Sequence, residues 1–355
     1  MVRLLGIETS CDETAIGIVE DGRRILANVI ASSVQFHKAY GGVVPEIAAR
    51  VHVEVIWQVL EDALRQADCQ LDDLDAIAVT KGPGLPGALL IGLSFAKALA
   101  LALDRPLLGV DHLAAHLYAG MMVEPSMSPP YVGLVVSGGH TLLCVVHPDQ
   151  RFELLGETKD DAVGEAFDKV AKTLGLDYPG GPAIDRLSEE GRHDAIAFTR
   201  STAKESCDFS FSGLKTAVYQ YVEKQGHAAR STQHGTLPTP QAPRPTPPRL
   251  ERQQIADIAA SFQEAAVDIL LTKTLRACQR TGMKQLVVGG GVAANRRLRE
   301  RLTQASQARN LHVVFPPPVL CVDNGAMVAG LAFEHLQKGK QAALSLNIDP
   351  SLRLN

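Results

Sequence analysis

One pattern occurs twice in this chain, and it limits the fold more than any other feature. Short apolar runs at residues 4–7 and 15–19 flank the polar turn Glu8-Thr9-Ser10-Cys11-Asp12-Glu13-Thr14, and residues 24–31 follow as a third run. This reads as strand, turn, strand, strand. A helix is expected over residues 45–67, with Pro45 at its start, then a strand at 76–80, a helix at 87–103 and a strand at 106–110. After a proline-rich junction at 124–130 the pattern restarts, with strands at 131–137, 141–147 and 151–158 around the turn Gly138-Gly139. Helices at 163–174, 183–190, 213–224 and 253–281 come next. A strand at 285–288, a helix from 293, a strand at 311–315 and a last helix at 323–337 close the chain. Three strands followed by alternating helices and strands, twice over, predict an α/β protein of two duplicated lobes, each with a mixed sheet. The expected division is 1–125, 130–337 and a tail at 338–355, in line with the usual size of domains for 355 residues.

Composition removes several function classes. With 46% hydrophobic and 21% charged residues the chain can bury real cores. A net charge of −4 gives no overall basic footprint, so any nucleic acid must be held by local patches or with a partner's help. The six cysteines include no C-x-x-C pair, which argues against a zinc ribbon, a redox dithiol or a disulfide framework and fits a reducing cytosol. No secretory segment is read at the N-terminus, where Glu8 and Asp12 come early. Residues 87–103 approach membrane-spanning length but contain Lys97 and end at Asp104, and are read as a buried helix. Residues 226–249 hold six prolines, three arginines and no acidic residue, and are expected to form a solvated surface insertion.

Five stretches could carry chemistry. In Asp111-His112-Leu113-Ala114-Ala115-His116 the histidines are four apart, so a helix would place both imidazoles on one face. They are either a chelating pair for a divalent transition ion or two surface histidines. A zincin protease needs glutamate after the first histidine, and Leu113 stands there. Val135-Val136-Ser137-Gly138-Gly139-His140 and Gly289-Gly290-Gly291 are glycine turns at strand ends, where backbone N–H groups can approach an anion; neither is a P-loop. The loop from Lys81 to Gly87 should shape a turn and start the next helix. Asp323-Asn324-Gly325-Ala326 opens the last helix, where Asp323 would ordinarily be its N-cap.

These stretches, together with residues 6–14 and taken in chain order, resemble the universal tRNA threonylcarbamoyl transferase family, once called O-sialoglycoprotein endopeptidases. The resemblance covers nearly the whole chain outside the proline-rich insertion. It implies the actin-like ATPase (ASKHA) fold, with two ribonuclease-H-like lobes around a cleft. It implies transfer of threonylcarbamoyl from threonylcarbamoyl-AMP to the exocyclic amine of the adenosine beside the anticodon, in tRNAs that read codons beginning with A, releasing AMP. His112, His116 and Asp323 would then hold one divalent metal ion, Fe2+ before Zn2+. Val135, Val136, Ser137, Gly138, Gly139, Asp168, Gly181, Asp185 and Asn295 would contact the adenylate, and Asp12, Glu13 and His140 are candidates for the proton acceptor. Partners would be tRNA, a paralogous actin-like subunit of the TsaB type and a small ATPase of the TsaE type, in the cytosol and away from membranes. The rival readings are a sugar kinase or other ATPase on the same fold, a scaffold that has lost its site, and a metalloprotease.

Overall fold

The computed structural model describes residues 1–200, 205–231 and 250–354. The first half runs through β1 (Arg3–Glu8), β2 (Glu13–Glu20), β3 (Arg24–Ser32), α1 (Val34–His37), α2 (Pro45–Ala67), β4 (Ala76–Gly82), α3 (Pro86–Leu103), β5 (Leu107–Asp111) and α4 (His112–Val123). The second runs through β6 (Tyr131–Val136), β7 (Thr141–Val146), β8 (Phe152–Glu157), α5 (Val163–Thr173), α6 (Gly180–Leu187), α7 (Ser212–Ser231) and α8 (Arg252–Thr281). It ends with β9 (Gln285–Gly289), α9 (Arg296–Gln307), β10 (His312–Val314), α10 (Pro318–Cys321) and α11 (Gly325–Gln337). The sheets have orders β3-β2-β1-β4-β5 and β8-β7-β6-β9-β10, the same order twice. In both, the first three strands pair antiparallel and the last two add on in parallel. The duplication expected from the sequence is therefore present.

Alternation along each strand sends side chains to both faces of its sheet. On the first sheet Leu5, Ile7, Ile16 and Ile18 pack under α2 and α3, against Ile56, Leu60, Leu93 and Ala96. Leu4 and Val19 face the other way, against Ala326 and Ala329 of α11. On the second sheet Val132, Leu134 and Val136 meet Phe167 and Phe262 of the local helices, whereas Tyr131 and Val135 meet Leu113 and Leu117 of α4. Two helices are thus exchanged: α4 follows the first sheet and covers the second, while α11 follows the second and covers the first.

The exchange needs close backbone approach. A Cβ placed on Gly17 would lie 2.6 Å from Ala326 Cα, so only glycine lets α11 lie this near β2. The start of α4 meets the segment just before α11, and that positions the site.

Some details differ from the sequence reading. Asn324, not Asp323, caps α11, its side chain accepting from Met327 N at 3.0 Å, so Asp323 stays outside the helix. Helix α7 continues past residue 224 to Ser231, through the start of the proline-rich segment; residues 232–249 of that expected insertion lie outside the described residues. Helix α6 begins at Gly180 and α9 at Arg296. Helix α3 packs on β4 and α2 by one face, but Leu90 (49% exposed) and Leu101 (69%) on α3 and Val53 and Trp57 on α2 meet solvent, so it is less buried than its sequence suggested. The tail returns to the first sheet: Ala342 N bonds Leu107 O, Asp349 N bonds Lys81 O, and Leu346 and Ile348 join its core.

Candidate metal centre and the surrounding cleft

Helix α4 starts without a linker because the last residue of β5 caps it. Asp111 Oδ1 accepts from Leu113 N at 2.8 Å and Ala114 N at 2.9 Å. His112 is consequently the first helical residue, and His116 lies one turn later on the same face, with ring centroids 4.6 Å apart. Asp323, left outside α11, turns its carboxylate to both rings. Its Oδ1 is 3.1 Å from His116 Nε2 and 3.6 Å from His112 Nε2. Among the described residues these three donors lie within 4.8 Å of one another and could hold a metal ion.

Behind His112 sits a residue that the sequence reading did not single out. Glu8 Oε2 accepts from His112 Nδ1 at 3.0 Å and from the Thr80 hydroxyl at 2.6 Å, and Glu8 Oε1 accepts from Ser10 N at 2.5 Å. A carboxylate with full hydrogen bonds behind one imidazole nitrogen sets the tautomer and turns Nε2 toward the ion. The only hint in the sequence is an acidic residue ending an otherwise apolar strand.

Electrostatics favour a cation here. Burial works against charge on His112, but Glu8 and Asp323 outweigh it and raise its pKa to about 9. Burial likewise opposes charge on Asp323, yet His112 and the hydrogen bond from His116 bring it down to about 2. Burial and the neighbouring charge of His112 lower His116. Two carboxylates around two imidazoles want one more positive charge, and a metal ion can supply it as well as a proton. Two nitrogens and one oxygen, with no thiolate, suit a divalent iron or zinc ion with open coordination positions. The residues present therefore fit a metal. Among the described residues, His116 Nδ1 is the one buried ring nitrogen without a hydrogen-bond partner.

Other candidates gather around this centre. Burial, then Asp12, then Asp323 push Glu13 to about 10, so it holds its proton at neutral pH. Burial lowers His140 to about 4, with His112 and His116 adding to the effect, so its imidazole is neutral. From the second half, burial raises Asp168 to about 6, against the Gly180 N–H and with help from Asp12. Tyr178 is raised by burial and then by Asp12 and Asp168. Asp12 thus lies near groups from both halves.

The turn after β6 is fixed by Ser137 N to His140 O at 2.8 Å and His140 N to Ser137 Oγ at 3.1 Å. A Cβ on Gly138 or Gly139 would meet nothing within 4 Å, so open space lies beside the Cα of each. Val135 and Val136 are fully buried and can offer only backbone. Asp168 accepts from Gly180 N at 2.7 Å, beside Gly181. Asp185 accepts from Asn295 Nδ2 at 3.2 Å and Arg296 Nε at 2.9 Å, while Asn295 also caps α9. The structure thus pairs Asp185 with Asn295 and Asp168 with the Gly180–Gly181 turn. A cavity of about 140 Å3 beside Asp185, Gln263 and Arg296, and a larger one of about 310 Å3 between Tyr118, Phe152 and Leu331, contain none of the three metal donors. Donor geometry, rather than cavity size, locates the centre.

Comparison with known proteins bears on the family and the fold. The sequence pattern of a family described as tRNA N6-adenosine threonylcarbamoyltransferase matches residues 24–330. Relatives of that name include one from Symbiobacterium thermophilum, 48% identical over 351 residues, covering 99% of this chain and 96% of the relative. Another, from Clostridium perfringens, is 46% identical over 354 residues, covering 99% and 98%. Among solved structures, full-length HypF in its phosphate- and nucleotide-bound form superposes with a TM-score of 0.57 at 15% identity, over 96% of this chain and 56% of HypF. The activator of 2-hydroxyisocaproyl-CoA dehydratase from Clostridium difficile, with bound ADPNP, gives 0.52 at 14% identity, over 96% and 97%. These two show a shared fold, the actin-like one expected from the sequence.

Proposed function

Since the chain belongs to the tRNA N6-adenosine threonylcarbamoyltransferase family, and is a transferase that modifies tRNA, we propose the following donor, metal and residue roles for that activity. The donor is threonylcarbamoyl-AMP, and the acceptor is the N6 amine of the adenosine beside the anticodon in tRNAs reading codons that begin with A. The carbonyl carbon forms a bond to N6, its bond to the phosphate oxygen breaks, AMP leaves and the amine gives up a proton. What carries the reading is the convergence of His112 Nε2, His116 Nε2 and Asp323 Oδ1, with Glu8 behind.

When bound, the ion, Fe2+ in preference to Zn2+, supplies Lewis acidity toward a donor oxygen. The chain's own residues do the rest. Glu8 and Asp323 hold the imidazoles in register. The turn at Gly138 and Gly139, with space beside both Cα atoms, receives the donor's phosphate, and Ser137 fixes it. Asp168, Gly181, Asp185 and Asn295 line the approach for the adenosine, with Val135 and Val136 contributing backbone. The amine's proton passes to Asp12 or His140, because Glu13 is already protonated. An actin-like kinase or ATPase has no use for the buried histidine pair.

Lobes at 1–125 and 130–337 with a tail at 338–355 belong to the same reading, with α4 and α11 exchanged across the division. The exposed apolar side chains Val53, Trp57, Leu90 and Leu101 support docking of an actin-like paralogue (TsaB type) on α2 and α3. The small ATPase (TsaE type) and a cytosolic location complete it. The test is to incubate the purified chain with threonylcarbamoyl-AMP, candidate partners and unmodified tRNA, and to weigh the digested nucleosides. The adenosine should gain the mass of one threonylcarbamoyl group. Unchanged adenosine, under conditions where a relative modifies the same tRNA, would refute the reading.

A further inference from the structure

The turn between β1 and β2 presents Cys11, Asp12 and Glu13 to the cleft, and three successive carbonyls behind it are each taken by a different element. Ser10 O accepts from Leu85 N at 2.8 Å, and Asp12 O accepts from Ser33 N at 2.9 Å and Ser33 Oγ at 2.8 Å. Between them, Cys11 O stands 3.0 Å from Nε2 of His52, a fully buried side chain on α2. The other nitrogen of that ring, Nδ1, stands 2.7 Å from Thr14 Oγ1. A carbonyl can only accept, so Nε2 carries the proton and Nδ1 accepts from the Thr14 hydroxyl. Burial lowers the pKa of His52, which favours this neutral form.

One imidazole therefore ties Cys11 in the turn and Thr14 at the start of β2 to helix α2. His37 acts at one remove, with Nε2 at 2.9 Å from the Ser33 hydroxyl that in turn holds Asp12 O. Neither histidine faces the cleft, and neither has a part in the chemistry described above.

We propose that His52 is a positioning residue for acyl transfer, fixing the turn over Cys11–Thr14 so that Asp12 and Glu13 stand at the metal side of the cleft. This rests on the transferase reading, and it gives α2 a task beyond covering the sheet. His52→Leu keeps an apolar side chain in the core but frees Cys11 O. His52→Gln keeps an amide N–H that can donate to that carbonyl and an oxygen that can accept from Thr14.

The experiment compares both variants with the parent chain at equal metal content, using rates per folded molecule. In His52→Leu, kcat should fall about ten- to a hundredfold, the scale of a misplacement of about 1 Å, with the donor's KM little changed. His52→Gln should recover most of the rate. Hydrogen exchange at residues 11–14 reads the turn without any turnover, and should quicken in His52→Leu and slow again in His52→Gln. If the parent chain transferred nothing while exchange still followed residue 52, the transfer reading would fall and the fixing of the turn would stand. Rates and exchange that ignore residue 52, or losses in both variants that only track melting temperature, would overturn the proposal.

Discussion

At His112 the deciding quantity is charge. The ring is buried, which alone would keep it neutral, and Glu8 with Asp323 reverses that preference. Glu8 is as important to the centre as the donors, since it accepts the hydrogen bond of the Nδ1–H and is itself held by Thr80 and Ser10. Glu8→Gln keeps the shape and removes the charge. Metal affinity, measured by competition with a chelator, should weaken by about 10–100-fold, the usual cost of losing an outer-shell partner. Unchanged affinity would mean that Glu8 only fills space. Residue chemistry was partly legible in the sequence: the spacing of His112 and His116 gave the pair, because four residues make one helical turn. Glu8 and His52 were not legible, because their partners are 104 and 41 residues away and nothing local marks them.

Among the elements, the crossing helices α4 and α11 matter most. They bring the donors together from opposite ends of the chain, His116 and Asp323 being 207 residues apart. Helix α11 lies close on β2 at Gly17, where a Cβ would meet the backbone of Gly325 and Ala326. Gly17→Ala should cost about 1–3 kcal/mol in urea unfolding, as overpacking a tight core does, and should weaken metal binding by displacing the segment that carries Asp323. Normal stability and normal metal affinity together would show that the helix can shift without consequence. Long elements were legible: α2 spans residues 45–67 as its periodicity and leading proline indicate. The four-residue helices α1 and α10 are too short to show a period, and the cap of α11 was misplaced by one residue because Asp323 and Asn324 are both good caps.

For the whole molecule, the duplication was legible because each half repeats its local strand and turn signals. The exchange of α4 and α11 was not, since which sheet an apolar helix covers depends on packing that no local pattern encodes. That exchange sets His112, His116 and Asp323 at the junction between the halves, so an ion held by them, as proposed, would also tie the halves together. The most direct test of the metal-dependent reading is bound iron and zinc measured beside single-turnover transfer in the parent chain and in His116→Ala. The parent should carry about one ion per chain, as a single three-donor site implies. His116→Ala should fold, copurify with far less metal and transfer roughly a thousandfold more slowly, the several kcal/mol that a Lewis acid contributes. A His116→Ala protein with normal metal content and a normal rate would contradict it.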